Sequence, residues 1–345
     1  MRRYVAKRVA QAVLVLLSAY TVSFVLLSAL PGDAVTNRVQ NPEANISPEG
    51  ARLLLEYYGL DRPLWEQYLH GLAGVVRGDF GYSLTTAQPV QGLLASALPA
   101  TLQLTSLALV FGLVIAAVVA IAVNYAPWGW LRDLTGSVPA LFASVPTFVA
   151  GILTLQLVSF RLGLIPSVDD GSFRALLAPA LTLALVIAAP LSQVFASSIR
   201  STRRQPFVHV LHAKGAGEGF IFRKDVLRNS SLPVLTLLGL AFGELVAGSV
   251  VTESVYARKG IGQLVVGAVN TQDLPTVQGV VLLSTFAYVV INLVVDLAYP
   301  YVDPRILVDG RTQRVTRVRR RPRPARAVVV PEPARRRLPS EVAMP

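Results

Sequence analysis

The chain has no cysteine. That excludes disulfides, thiolate metal sites and cysteine nucleophiles. It has only three histidines, and His70, His209 and His212 are too poorly spaced for a metal centre. Charge is scarce as well. Asp, Glu, Lys and Arg make up 15% of the 345 residues, against roughly 25% in soluble domains. No nucleophile, base and oxyanion-donor set can be assembled from such a chain, so it reads as non-enzymatic.

What fills the space is apolar. Val9 to Pro31, Phe80 to Leu131, Leu134 to Phe160 and Ala175 to Ile199 carry no charge. Asn229 to Ala257 is interrupted only by Glu244 and Glu253, and Leu274 to Val295 is uncharged. Runs of about 18 apolar residues suffice to cross a bilayer core. The pattern predicts an all-α polytopic membrane protein with six transmembrane helices, near 9–30, 99–123, 138–160, 176–199, 232–256 and 276–299. The first run is longer than the 7–15 residues usual for a signal-peptide core, so it is expected to stay as a helix. Prolines 139, 146, 179, 190 and 233 fall in or beside the spans and predict kinks.

The net charge of +12 is distributed for a membrane and not for nucleic acid. Arg2, Arg3, Lys7 and Arg8 precede the first span, seven cations lie in 200–230, and twelve follow residue 300. Segment 31–98 instead holds four cations and seven acids. Cation-rich segments mark the cytoplasmic side, so both termini are expected inside the cell. The expected parts are 1–30 (N-terminus and first span), an external segment 31–98, a core 99–306 and a cytoplasmic tail 307–345. The tail is rich in Arg, Pro and Val without helical periodicity, which predicts disorder. Its arginines are either solvated or in contact with anionic lipid.

Segment 31–98 has helix signals of its own. Ser47-Pro48-Glu49 starts one helix that stops at Gly59, and Asp61-Arg62-Pro63 starts another. Leu64, Trp65, Tyr68, Leu69, Leu72, Val75 and Val76 recur at helical spacing in the second. That helix either lies along the membrane surface or packs on the chain's own external ends.

Residues 212–233, HAKGAGEGFIFRKDVLRNSSLP, interrupt the apolar pattern. Phe220-Ile221 follow the last glycine, where a Walker-type loop needs Lys and Ser/Thr, so no phosphate loop is built here. Instead Gln205-Pro206 starts a short helix that places Phe207, Val210 and Leu211 on one face with Lys214 following. Glycines then reverse the chain. A second short helix, 220–228, leads through Leu232-Pro233 into the fifth span. An element held this way can dock in a soluble partner and pass its movement to a transmembrane helix.

The segment resembles the cytoplasmic coupling loop of ABC importer permeases of the dipeptide/oligopeptide family, in Ala213-Lys214-Gly215 followed by Leu232-Pro233. The resemblance extends to about residue 306. It includes Pro31-Gly32-Asp33, Gly59-Leu60-Asp61-Arg62-Pro63-Leu64 and Arg77-Gly78-Asp79-Phe80-Gly81-Tyr82-Ser83. It continues through Glu253-Ser254-Val255-Tyr256, Gly260-Ile261-Gly262, Pro275-Thr276-Val277-Gln278-Gly279 and Asp303-Pro304-Arg305. Leu211 replaces a small alanine of the family, Lys259 replaces a proline, and the arginine-rich tail is additional.

The resemblance implies the ABC importer permease fold in a bacterial inner membrane, with peptides imported by alternating access. It implies a second similar permease, two cytoplasmic ATPases that bind the ATP and magnesium, and an external substrate-binding protein. This chain is then expected to bind no cofactor itself. ATPase coupling falls to Phe207, Val210, Leu211, Ala213, Lys214, Gly215, Leu232 and Pro233. Related permeases carry nickel, glutathione, haem or other small solutes. The loop 256–275 is expected to dip towards the translocation mouth.

Glu244, Glu253 and Gln278 are the candidates for the translocation path. Glu244 lies about 18 Å into the fifth span, where an ionisable group faces a cavity or a partner. It meets either a cationic substrate group or the interface between two permease subunits. Glu253 belongs to the family pattern and is expected to cap the outer end of the fifth span. The rival class is an ion-coupled secondary transporter using Glu244 as its coupling carboxylate. A membrane-embedded enzyme would need a polar cluster at bilayer depth, and the sequence has none.

Overall fold

Packing in the computed structural model is organised around one central helix. Residues 2–28, 49, 56, 57, 62–166 and 168–302 are described. The proposed helix from Ser47 to Gly59 and the tail 307–345 lie outside them, apart from Glu49, Glu56 and Tyr57.

The helices are α1 (Arg2–Ser28), α2 (Leu64–Val76), α3 (Val90–Tyr125), α4 (Gly129–Ser144) and α5 (Thr147–Thr154). There follow α6 (Phe173–Arg203), α7 (Pro206–Ala213), α8 (Glu218–Ile221), α9 (Leu227–Val255), α10 (Ile261–Asn270) and α11 (Leu274–Val302). Wide π-type turns extend α5 through Leu155–Arg161 and join α8 to α9 through Phe222–Val226. No strand occurs among the described residues, whose only β-type pairing is an isolated bridge between Tyr82 and Pro89.

Among the described residues five helices are long and apolar enough to cross a membrane, or six spans if the bent pair Gly129–Ser144 and Thr147–Arg161 counts as one. That pair replaces the continuous third span expected over 138–160. It bends by 99° at Val145-Pro146, because Pro146 takes an extended conformation and opens α5 as its N-cap. Prolines 139, 179, 190 and 233 are instead absorbed inside helices. The second span begins at Val90 and not near 99, with Pro99 inside it.

The fifth span also starts earlier than expected. Glu218 to Val255 is one run of 38 helical residues, about 57 Å long, with no separate joint at Leu232-Pro233. Its wide turn has a packing role. Ile221 and Val226 are five residues apart and both fully buried, a spacing that a π-type turn brings to one face.

The core is built on α6. Leu176, Ala180, Leu183, Ala184, Ile187, Leu191 and Ile199 of α6 pack with Leu104, Ala108, Ala116 and Ala120 of α3. Val234, Ala241 and Leu245 of α9 complete it. Small residues allow this closeness, as expected for helices in lipid. A Cβ on Gly112 would come within 2.5 Å of Ile187, and one on Gly248 within 2.9 Å of Leu183. Gly239 and Gly243 admit Asn292 and Tyr288 of α11 in the same way.

Helix α2 is fastened to α1. Tyr20 donates to the Tyr68 carbonyl at 3.0 Å, and Thr21 shares a 2.9 Å hydrogen bond with the Tyr68 hydroxyl. Leu64, Trp65, Leu69 and Val76 of α2 are exposed. The helix thus packs on the chain through Tyr68 while an apolar stripe faces away.

Candidate functional site

Two clusters of irregular backbone lie at opposite ends of the bundle, and the run from Glu218 to Val255 connects them. At the basic end, Pro206 opens α7 as its first residue. Val208 is buried among Ile221, Val226 and the ends of α3 and α6. Leu211 is half-buried against the same cluster, whereas Phe207 and Val210 are exposed. The single face expected for Phe207, Val210 and Leu211 is therefore split. Leu211 turns inward, so its bulk goes towards the core.

The reversal after α7 is a Schellman motif. Gly215 sits at φ +81°, its N–H donates to His212 O at 2.9 Å, and Ala216 N–H donates to Leu211 O at 3.1 Å. Leu211 and Ala216 both pack on the core and supply the motif's apolar contact. Ala213 and Lys214 are exposed, Leu232 is half-buried and Pro233 exposed.

A polar network that the sequence did not single out holds this hairpin in place. Glu218 Oε1 lies 3.2 Å from His212 Nε2 and 3.8 Å from Arg203 Nη2. Arg203 donates to Asn124 O at 2.8 Å and stacks 4.4 Å from the Tyr125 ring centre. Asn124 donates to Ala196 O at 3.1 Å, and Tyr125 meets Phe222 edge-on. The ends of α3, α6 and α8 are thereby tied together. The available signal was Glu218, the one acid between Arg200 and Lys224 in a basic stretch.

At the other end of α9, Glu253 is fully buried. Its carboxylate accepts from Thr101 Oγ1 at 2.6 Å, Gly262 N at 2.7 Å and Gln263 N at 3.3 Å. Expected to cap α9 and to line the path, it instead caps the start of α10 and presents no surface to a path. The cause is the tight 256–262 loop. A Cβ on Gly260 would overlap the Glu253 carboxylate, and one on Gly262 would overlap the Val250 backbone.

Arg258 closes the same loop. It donates to Asp169 Oδ2 at 3.0 Å and to Gln103 Oε1 at 3.1 Å, with only 6% of its side chain exposed. Beside Asp169, the Asp170 carboxylate accepts from Ser172 N at 2.9 Å. Hydrogen bonds from the Ser172 side chain and backbone hold its pKa below the ordinary value.

The Arg77–Ser83 and Pro275–Gly279 stretches come together here. Asp273 is buried and takes hydrogen bonds from Ser83 Oγ, Leu84 N and Thr276 Oγ1. Gly78 and Gly81 have φ of +83° and +81°, and a Cβ on Gly279 would lie 2.7 Å from Val90. Tyr57 donates to Asp79 Oδ2 at 3.1 Å. Burial first, then the Asp79 charge, pushes the Tyr57 hydroxyl up to about 12. Gln278 is half-buried, and its amide nitrogen has no hydrogen-bond partner among the described residues.

Glu244 stands apart from both clusters. It lies mid-way along α9, exposed, and no hydrogen bond or ion pair reaches it among the described residues. No group of metal-ligating side chains occurs among the described residues.

Residues 108–308 match the family described as the binding-protein-dependent transport system inner membrane component, and residues 1–105 match that system's membrane component N-terminal region. The chain belongs to this family. It is a multi-pass inner-membrane permease subunit of an ABC importer. The glutathione transport system permease protein GsiC of Escherichia coli K12 is 33% identical over 308 residues, 89% of this chain and 99% of that protein. Its counterpart in Salmonella typhimurium is 33% identical over 306 residues, with the same coverage. An inward-facing MetNI methionine ABC transporter structure shares the fold, with a TM-score of 0.53 at 18% identity. It covers 61% of this chain and 96% of that one. The permease reading and the all-helical importer-permease fold expected from the sequence stand.

Proposed function

We propose that this permease forms half of the path of an ATP-driven peptide importer and that α7 receives the power stroke. The observation that carries the proposal is the two-sided α7, anchored inward through Val208 and offering Phe207 and Val210 outward. Two exposed apolar side chains on a short, rigidly backed helix suit a groove on a soluble ATPase. That ATPase holds the ATP and magnesium. Movement of α7 passes through the Glu218–Arg203 network and the unbroken 218–255 helix to the loop around Glu253. The basic end faces the cytoplasm with both termini, because Arg200, Arg203, Arg204, Lys214, Arg223, Lys224 and Arg228 gather there.

The opposite end, with 79–90 and 256–275, faces an external substrate-binding protein. A second, similar permease completes the path. Peptides are the substrate class, and relatives named as glutathione permeases support a short peptide. The test is reconstitution with the partner permease, ATPases and binding protein in vesicles. ATP-dependent uptake of labelled glutathione or another short peptide is expected. Uptake driven by a proton gradient without any ATPase would overturn the reading.

A further inference from the structure

The exposed helix faces of this permease are of two kinds. At mid-span the exposed side chains include Val13, Leu14, Leu17, Val22 and Val25 on α1, with Ser18 beside them, and Val110, Val114 and Val118 on α3. Such surfaces suit lipid chains. On α9 the exposed stripe is Pro233, Thr236, Leu240, Glu244, Ala247, Val251 and Ser254, spaced by three and four residues throughout. Helix α6 exposes Gln193, Ser197 and Arg200 towards its basic end. The Thr236 and Ser254 hydroxyls donate to the Leu232 and Val250 carbonyls of their own helix, so the Glu244 carboxylate is the group on the α9 stripe that lipid chains cannot solvate.

Glu244 is the only ionisable residue between Arg228 and Glu253. It stands 11 residues from Val255, about 17 Å from that helix end. Burying a charge at this depth without a partner is costly, so such groups face water or an opposite charge. Its neighbours one turn away, Leu240 and Ala247, offer no hydrogen-bonding side chain.

We propose that Glu244 makes the exposed face of α9 a wetted, cation-selecting surface of the translocation path, favouring solutes that carry an ammonium group. The proposal rests on the importer reading for its biological meaning. In that setting the solute is a peptide with a protonated amino terminus. The carboxylate offsets the loss of water around the ammonium as it crosses mid-membrane and repels solutes whose leading group is anionic.

The absence of native cysteine makes the test direct. Single cysteines are placed at Leu240→Cys and Ala247→Cys, with Val114→Cys on α3 as the lipid-facing control. The permease is assembled with its partner subunits in membrane vesicles at low ionic strength. Labelling rates are compared for a cationic trimethylammonium methanethiosulfonate and an anionic sulfonate methanethiosulfonate. Both α9 cysteines are expected to react and Val114→Cys to remain unlabelled.

The ratio of cationic to anionic labelling is expected to fall about tenfold when E244Q is added. A unit charge about 6 Å away changes each rate about threefold even in bulk water, in opposite directions for the two reagents. Should Leu240→Cys fail to insert, Ala247→Cys carries the same measurement. If the α9 cysteines are as inert as Val114→Cys, the face is covered and the proposal falls. It falls equally if they react but the charge ratio is unmoved by E244Q. Labelling needs neither ATP nor transported solute, so its outcome is separate from the uptake experiment.

Discussion

Gly260 and the Glu253 carboxylate occupy adjoining space so tightly that a single added carbon at residue 260 would overlap the carboxyl group. The buried acid and the glycine form one device. The acid accepts the Gly262 and Gln263 N–H groups in the first turn of α10, and the glycine lets the chain pass close enough for it to do so. Gly260→Ala is expected to destabilise the chain by about 1–3 kcal/mol through overpacking. Glu253→Ala, which orphans the Gly262 and Thr101 donors, should cost about as much. Glu253→Gln, which keeps one acceptor oxygen, should cost less. Thermal unfolding in detergent, followed by helical circular dichroism, ranks the three. Equal melting of Glu253→Ala and wild type would remove the scaffold role.

Asp169 and Arg258 join the segment after the broken span to the loop after α9. Arg258 is the more deeply buried partner, so losing its counter-ion leaves a charge stranded. Asp169→Ala should therefore cost about 3 kcal/mol. Arg258→Leu combined with Asp169→Ala should recover part of that loss. A double-mutant cycle on unfolding free energies measures the coupling. Strictly additive losses would show that the pair does not bind the two loops together.

The spans were legible because bilayer thickness imposes a length on apolar runs, and that constraint is local. Their ends were not. Pro89 and Pro99 both suit a helix start. Only the packing of Val90 and Leu94 against Ile261 and Val280, far along the chain, selects the earlier one. The same holds for Glu253. Its identity marked a site, but its burial depends on Thr101, 152 residues away. Gly215 was readable because its turn is made by neighbours within five residues. Glu244 was readable as an anomaly for the opposite reason, since nothing in the described chain resolves its charge.

Asp273 gathers two donors from the distant 79–90 segment and one from Thr276 in its own turn, so its loss should loosen the 79–90 hairpin more than the helices. In Asp273→Ala the Leu84 amide is expected to exchange with deuterium at least tenfold faster, while amides in the middle of α6 stay protected. Hydrogen exchange read by mass spectrometry resolves the two regions. Unchanged Leu84 protection would mean that the hairpin is held by apolar packing alone.

The two sides of α7 should separate stability from coupling. Val208 points into the core, and Val208→Ala should lower stability by about 2 kcal/mol. Phe207 and Val210 are exposed, so Phe207→Ala with Val210→Ala should change the isolated chain's stability by about 0.5 kcal/mol or less. In the assembled importer the order should reverse. The double variant is expected to keep ATP hydrolysis while losing most peptide uptake, because the ATPases no longer move this permease. Substituting Gly215, whose φ of +81° is unfavourable for other residues, should weaken coupling in the same direction by tilting α7. The readout is the ratio of peptide imported to ATP hydrolysed in vesicles. A double variant with a wild-type ratio would show that the partner's force enters elsewhere.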